Sequence, residues 1–443
     1  MVLSHKKTGS LWVLVLMCIP FMSLAEQPRT EKSGKTNIGT LGVTLAPSRL
    51  VLSREQAVQL ALQANPNVRL SAQQIAAAKA RRLQAGGLDS PTLFWEWEEV
   101  KRFSPSQFGN QVIGIEQSLK WFGVRKARKR AADIGISVFQ ANQLRVQQRT
   151  IARIHKAFDQ VLLAQENVAL VGNILRRIEE AVVITRARFR SGNAQYIDVL
   201  RTRISLQRLQ NLSREAMLAE SRSRHRLNLL LARPANTPVE LRGKLDFRSE
   251  TFIPKAVLAR IDNEGPSIVL LQKRIDQARQ NYRVQRKNRA PEVTLSLGRQ
   301  RLFDNNNIDY AWAGQVSLKF PFPGSDRQRG LEQEAQVMVE TTRNRTRALL
   351  AQIRSRLRQR VNEANTLSTQ LLSFREKTLL DADDQLKAAR QAYSVRRIDA
   401  LNLIDVYRTY LETRKNYYTL LVRYRSASID IKTNGEDLWE IEL

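Results

Sequence analysis

Residues 189–200 read Phe-Arg-Ser-Gly-Asn-Ala-Gln-Tyr-Ile-Asp-Val-Leu and interrupt a long helical pattern. Upstream of this stretch, apolar residues recur mostly every three, four or seven positions, which is typical of a helix with one buried stripe. They are Ile151, Ile154, Phe158, Val161, Val168, Leu175, Ile178 and Val182. Because Ser191-Gly192-Asn193 has the composition of a turn, the sequence predicts a hairpin of two long helices over about 124–232, with its tip at 191–194.

A second stretch, residues 393–405, reads Tyr-Ser-Val-Arg-Arg-Ile-Asp-Ala-Leu-Asn-Leu-Ile-Asp and predicts a second helical hairpin over about 326–431, with its tip at 395–398. Proline spacing supports a duplication, since Pro66 and Pro266 lie 200 positions apart, as do Pro91 and Pro291. We therefore expect a first repeat at 53–250 and a second at 251–432. A helix of about 65 residues would be about 100 Å long, which is too long for a compact domain.

After Pro91 and Pro291, apolar and polar residues alternate, which predicts β-strands. The predicted strands lie at about 91–98 and 111–121 in the first repeat and at about 291–298 and 312–322 in the second. Four strands cannot close a membrane barrel, so several chains must share one, unless the strands form an ordinary soluble sheet. The aromatic residues suit either a lipid-interface girdle or a buried sandwich face; they are Trp95, Trp97, Trp121, Trp312 and Phe322.

The N-terminus has the pattern of a cleaved secretory signal: Lys6 and Lys7, then apolar residues, then Ser23-Leu24-Ala25. We expect a signal peptide at 1–25, an extended tail at 26–52 and a C-terminal tail at 433–443. Lipid attachment at Cys18 is disfavoured because Met17 precedes it, where a small residue is usual. Removal of the signal would leave no cysteine, so disulfides would not stabilise the mature chain.

The composition argues against nucleic-acid binding and catalysis. The formal charge is +30, but the arginines are dispersed among Gln, Glu and Asn in helical segments, and a secreted protein rarely meets nucleic acid. Only His155 and His225 would remain after signal removal, which excludes the usual zinc and thiol sites. We therefore expect no enzymatic activity, no cofactor and no bound metal.

Taken in order, several stretches make the chain, from about Leu50 to Ile431, resemble the TolC-like outer-membrane efflux family. They are Gln56–Pro66, Gly114–Gln117, Val316–Pro321 and the two tips. The resemblance implies a mostly α fold with a small β part. Three protomers would form one 12-stranded β-barrel in the outer membrane and an α-helical tunnel in the periplasm.

The same resemblance implies partners and working residues. The homotrimer would contact outer-membrane lipid, a periplasmic adaptor and an inner-membrane pump, expected to be of the proton-driven resistance-nodulation-division type. The adaptor would dock at Ser191, Gly192, Asn193, Val395, Arg396 and Arg397. The tunnel entrance would be gated by Asp198, Tyr393, Asn402 and Asp405. Arg396 replaces the family's usual glycine, and Asn402 a frequent aspartate.

The predicted function is a passive outer-membrane conduit for export of solutes. Residues 80–86 and 114–117 look most similar to the branch that serves heavy-metal cation pumps. A drug-efflux channel and a type I secretion channel remain alternatives. From a different class, a secreted coiled-coil scaffold without a pore would explain the long helices, although it would have no need of the strands.

Overall fold

The computed structural model describes residues 50–97, 110–304, 307–320 and 326–438. The predicted signal peptide, Cys18, nearly all of the N-terminal tail, Phe322 and the last five residues lie outside these ranges.

In the first repeat, the elements are β1 (Leu50–Leu52), α1 (Arg54–Ala64), α2 (Pro66–Gly86), β2 (Thr92–Trp97), β3 (Gln111–Lys120), α3 (Val124–Arg190), α4 (Tyr196–Leu230) and β4 (Val239–Leu241). Local sequence explains where the helices begin. Ser53 and Gln56 form a reciprocal capping box at α1, with hydrogen bonds of 3.2 and 2.9 Å. Asn65 caps α2, whose first residue is Pro66, a position where the missing N–H costs nothing.

The second repeat has the same order of helices and hairpin strands, but among the described residues it has no counterpart of β1 or β4, and its long helix is divided by a π-helical turn. Its elements are α5 (Pro254–Glu264), α6 (Pro266–Lys287), β5 (Glu292–Asp304), β6 (Asn307–Lys319), α7 (Asp326–Ser373), a π-helical turn (Phe374–Thr378), α8 (Leu379–Ser394) and α9 (Ala400–Lys432). Both strands differ from the predicted bounds of 291–298 and 312–322: each extends further towards the turn between them, and only two residues separate them along the chain. The apolar–polar alternation does not predict this extension because Arg299 and Arg301 occupy positions on the apolar face, opposite Trp312 and Tyr310.

Two buried clusters hold the helices together. The larger one joins the middle of α3 to α1, α5, α6, α7 and the C-terminal half of α9, and includes the fully buried Phe158, Leu357 and Leu421. The smaller one lies between α3, α4, α8 and α9 near the two tips, and includes Ile178, Tyr393 and Tyr407. Because each cluster draws on both repeats, the repeats fold as one body rather than as independent domains.

β1 and β4 form a short parallel pair beside the larger cluster, and β2-β3-β5-β6 form an antiparallel sheet. Of the helices in the described ranges, none is both long enough and apolar enough to cross a membrane.

Candidate functional site

The four-stranded sheet has two chemically different faces. Register pairs Leu93 with Ile115 and Ile115 with Leu297, so these three share one face. That face is apolar and exposed: Leu93 and Trp312 are each 75% accessible. Its other large apolar members are Trp95, Trp97, Ile113, Leu295, Tyr310, Val316 and Leu318. Since soluble monomers rarely expose a patch of this extent, the face is built to contact something apolar.

The opposite face is polar, as the alternation along each strand requires. It carries Thr92, Glu96, Glu116, Ser118, Lys120, Glu292, Thr294, Ser296, Gln315, Ser317 and Lys319. Hydrogen bonds cross between the repeats on this face, from Ser118 to Glu292 at 3.0 Å and from Ser296 to Glu116 at 3.2 Å. Because the apolar face is exposed, its tryptophans do not lie on the buried face of a β-sandwich within the described protomer.

Gly114 and Gly298 face each other at the centre of the polar face, where the strands approach closely. A Cβ on Gly114 would lie 2.6 Å from both the Phe94 ring and the Leu297 carbonyl oxygen. The Phe94 ring therefore packs directly over Gly114, where no larger residue would fit. The outer strands β2 and β6 have no partner on their free edges within the described residues.

The first tip lies between α3 and α4. Gly192 has a φ of +74°, and the following N–H of Asn193 donates to the Arg188 carbonyl at 2.8 Å. This pattern closes a helix through a left-handed residue. Beyond the turn, the Gln195 N–H donates to the Asp198 carboxylate at 3.2 Å and so begins α4. Ser191, Gly192 and Asn193 are all exposed.

The second tip repeats this geometry between α8 and α9. Arg396 has a φ of +63°, and the Arg397 N–H donates to the Ala392 carbonyl at 2.8 Å. Here the capping carboxylate comes from Asp399, which accepts the Asn402 N–H at 2.7 Å. Val395, Arg396 and Arg397 are exposed, as their counterparts in the first tip are.

The four residues expected at a tunnel entrance have different environments. Tyr393 is buried, with the Arg188 guanidinium 4.9 Å above its ring, so it connects α8 to α3. Asp198 is half-buried and engaged in the helix cap. Asn402 and Asp405 are exposed on one face of α9, and Asp405 lies 4.0 Å from Arg408. The structure thus brings all four near the tips, but only Asn402 and Asp405 form an open surface.

A network of buried ion pairs, here called the ionic belt, borders the larger cluster and was not predicted from the sequence. Asp159 is buried on α3 and accepts from Arg54 of α1 and, at 3.0 Å, from Arg425 of α9. Asp159 is one of the residues that line a cleft of about 690 Å³. Burial next to Arg54 lowers the pKa of His155 beside it. Local sequence patterns do not predict the ionic belt because its residues lie far apart along the chain.

A second part of the belt anchors the C-terminal segment. Asp430 is fully buried against Lys156 at 2.5 Å and Arg360 at 3.3 Å, and burial still raises the pKa of its carboxyl. Glu436 is also fully buried and accepts from both the N–H and the hydroxyl of Ser267, at 3.0 and 2.5 Å. Burial raises the pKa of Glu436 to about 7. Among the described residues, no group of three or more His, Cys, Asp or Glu side chains is arranged to hold a metal ion.

The chain is similar to known proteins in sequence and in structure. No family model matches the chain. The cobalt-zinc-cadmium resistance protein CzcC of Cupriavidus metallidurans is 22% identical over 400 residues, or 90% of this chain and 93% of that protein. The outer membrane channel CmeC of Campylobacter jejuni matches with a TM-score of 0.73 at 15% identity, covering 87% of this chain and 86% of CmeC. The open state of the Neisseria gonorrhoeae outer membrane channel MtrE gives a TM-score of 0.70 at 17% identity, covering 87% and 89%.

The protomer therefore has the fold of the TolC-like outer-membrane channels, and the predicted mostly α fold with a small β part is confirmed, whereas the predicted trimeric barrel stays a prediction. Both of these solved structures are outer-membrane channels. Within this class, the chain is similar in sequence over nearly its full length to a protein of cobalt, zinc and cadmium resistance.

Proposed function

We propose that this chain is the outer-membrane channel subunit of a tripartite efflux system, a passive conduit that carries solutes out of the cell and catalyses no reaction. One observation carries the proposal: a sheet whose apolar face is exposed, at the end of a body of long helical hairpins. Exposed Leu, Ile and Trp side chains on one face and polar side chains on the other suit a sheet between lipid and water.

The free edges of β2 and β6 support a trimer. Unpaired backbone groups at a sheet edge are not tolerated in lipid, so further strands must complete the sheet. Three copies would supply twelve strands and close one barrel, as in the fold class. The long helical hairpins would then line a tunnel on the periplasmic side.

The helical tips would form the end of the tunnel that faces the inner membrane. We propose that the adaptor docks at 191–193 and 395–397, since these turns are exposed and α3, which begins just after β3, ends at the first of them. Asp198, Tyr393, Asn402 and Asp405 would lie around the entrance. An inner-membrane pump of the proton-driven resistance-nodulation-division type would supply the energy.

Similarity to a cobalt-zinc-cadmium resistance protein makes heavy-metal cations the first cargo to test. Drug efflux and type I secretion use channels of similar architecture and remain the alternatives. A coiled-coil scaffold is disfavoured because it would have no reason to expose an apolar sheet face.

The decisive experiment is the native mass of the protein extracted in detergent from the outer-membrane fraction. We expect a mass of three chains. A stable monomer or dimer in the soluble fraction would contradict the channel and favour the scaffold.

A further inference from the structure

The ends of both helical hairpins are strongly basic. Residues 186–203 and 390–408, here called the tip region, contain nine arginines, three aspartates and no other charged residue, for a net charge of +6. In a channel whose entrance lies at these tips, three copies would bring this charge together around one opening. Charge around a constriction decides which ions pass through it.

The three aspartates of the tip region already have local partners. Asp198 accepts the Gln195 N–H at 3.2 Å, and Asp399 accepts the Asn402 N–H at 2.7 Å. The Asp405 carboxylate lies 4.0 Å from the Arg408 guanidinium. Negative charge at a helix N-terminus is stabilised by the helix dipole. The carboxylates of Asp198 and Asp399 therefore interact with the N-termini of α4 and α9, respectively.

Most of the nine arginines of the tip region have no carboxylate partner within the described part of the chain. Within the described part of the chain, the only ion pair that any of the nine makes is the one between Arg408 and Asp405. Arg188 is half-buried and stacks over the Tyr393 ring, while seven others are exposed: Arg186, Arg190, Arg201, Arg203, Arg390, Arg396 and Arg397.

These arginines are close enough to act as one field. At 1.5 Å per residue, each lies within roughly 15 Å of its tip turn along the helix axis. The Debye length at physiological ionic strength is about 8 Å, so potentials from neighbouring arginines overlap in the opening.

We propose that the tip region makes the channel entrance selective for small anionic solutes, which refines the proposed heavy-metal cargo from free cations to anionic metal complexes. This inference rests on the proposed channel function with its entrance at the tips. If the cargo is a metal, the same field favours its anionic complexes over the free divalent ion. The positive charge of the chain then has a function at this end of the molecule.

The test is the reversal potential of the purified full-length protein in a planar lipid bilayer under a KCl gradient. We expect chloride to be more permeant than potassium, with the preference fading at 1 M salt, where the Debye length is about 3 Å. The triple variant Arg190→Gln, Arg201→Gln, Arg396→Gln should lower the chloride-to-potassium permeability ratio by about twofold or more.

A matched control removes the same charge from paired arginines elsewhere: Arg279→Gln, Arg354→Gln and Arg423→Gln, whose partners are Asp276, Asp262 and Glu363. This control should keep the wild-type ratio. A cation-selective channel, or a tip variant that matches the wild type, would overturn the inference and leave the channel function intact. Absence of any conductance from correctly folded protein would overturn both.

Discussion

Gly192 and Arg396 occupy equivalent positions in the two helix-to-helix turns, and both have a left-handed backbone, with φ of +74° and +63°. Each donates its N–H to the carbonyl three residues earlier, at 3.0 Å to Phe189 and 3.2 Å to Tyr393. Glycine adopts this conformation freely, whereas a residue with a Cβ pays a steric penalty of about 1 kcal/mol. The second tip therefore keeps an arginine at a measurable conformational cost.

Arg396→Gly should raise the free energy of unfolding by about 0.5–1 kcal/mol, because glycine relieves the left-handed strain. Gly192→Ala should lower it by a similar amount. Thermal unfolding of the detergent-extracted protein, followed by helical circular dichroism, measures both. Arg397→Gly is the control, since it removes the same charge at a residue without positive φ and should bring no gain.

Alanine at Asp198 and at Asp405 should separate a gate role from a capping role. Asp198→Ala removes the cap on the Gln195 N–H and should cost about 1 kcal/mol of stability, whereas Asp405→Ala should cost almost nothing. If both carboxylates also line the entrance, both variants should change cation block of the reconstituted channel. Unchanged cation block and unchanged conductance in both would remove them from the gate.

Leu297 and Ser296 are neighbours on opposite faces of β5 and provide a matched test of which face contacts lipid. Leu297→Arg should reduce the amount of trimer in the outer-membrane fraction, because arginine on a lipid-facing strand costs about 2–4 kcal/mol near the bilayer midplane. Ser296→Arg introduces the same side chain on the polar face and should be tolerated. Equal losses from both variants would contradict the assignment of faces.

Asp159 holds Arg54 and Arg425 against α3, and its side chain is only 2% exposed. Asp159→Ala should destabilise the protein by about 3–5 kcal/mol, since it leaves two partly buried guanidinium groups without their carboxylate. Asp276→Ala breaks the exposed pair with Arg279 and should change stability by less than about 1 kcal/mol. Denaturant unfolding of the two variants compares them, and similar small losses would show that the buried bridge is dispensable.

Glu436 predicts a pH-dependent stability. Its pKa is raised by burial from 4.5 to about 7, so the folded state binds the proton more tightly than the unfolded state does. The resulting stabilisation is complete below pH 4.5 and is lost as the pH rises through 7, by at most about 3 kcal/mol. The midpoint temperature of thermal unfolding of the wild type should therefore decrease as the pH is raised from about 5 to about 8.

In the variant Glu436→Gln the side chain stays neutral at every pH. The unfolding midpoint of this variant should therefore decrease less than that of the wild type between about pH 5 and 8. Asp430 shifts in the same direction, so the difference between wild type and variant isolates the contribution of Glu436. Glu264→Gln, at an exposed glutamate, is the control and should follow the wild type. Parallel pH profiles for wild type and Glu436→Gln would contradict the prediction.

Much of the architecture could be read from local patterns. Turn residues at 191–193 mark the first tip, and alternation marks the strand that holds Leu93, Trp95 and Trp97, because both signals depend on residues adjacent in the chain. Local pattern failed where the environment changes along an element. Arg299 and Arg301 concealed the length of β5, and the π-helical turn at Phe374–Thr378 has neither proline nor glycine to announce it.

The duplication, the helical hairpins and the two-faced strands follow from the amino-acid sequence alone, since periodicity specifies which side of each element is apolar. Which charged groups find a partner depends instead on tertiary packing. Asp159 forms ion pairs with Arg54 and Arg425, and Glu436 accepts hydrogen bonds from Ser267. The residues in each pair are more than a hundred positions apart in the chain. Such pairs form because packing of the two repeats brings distant side chains into a low-dielectric interior, where ionic and hydrogen-bonding partners matter most.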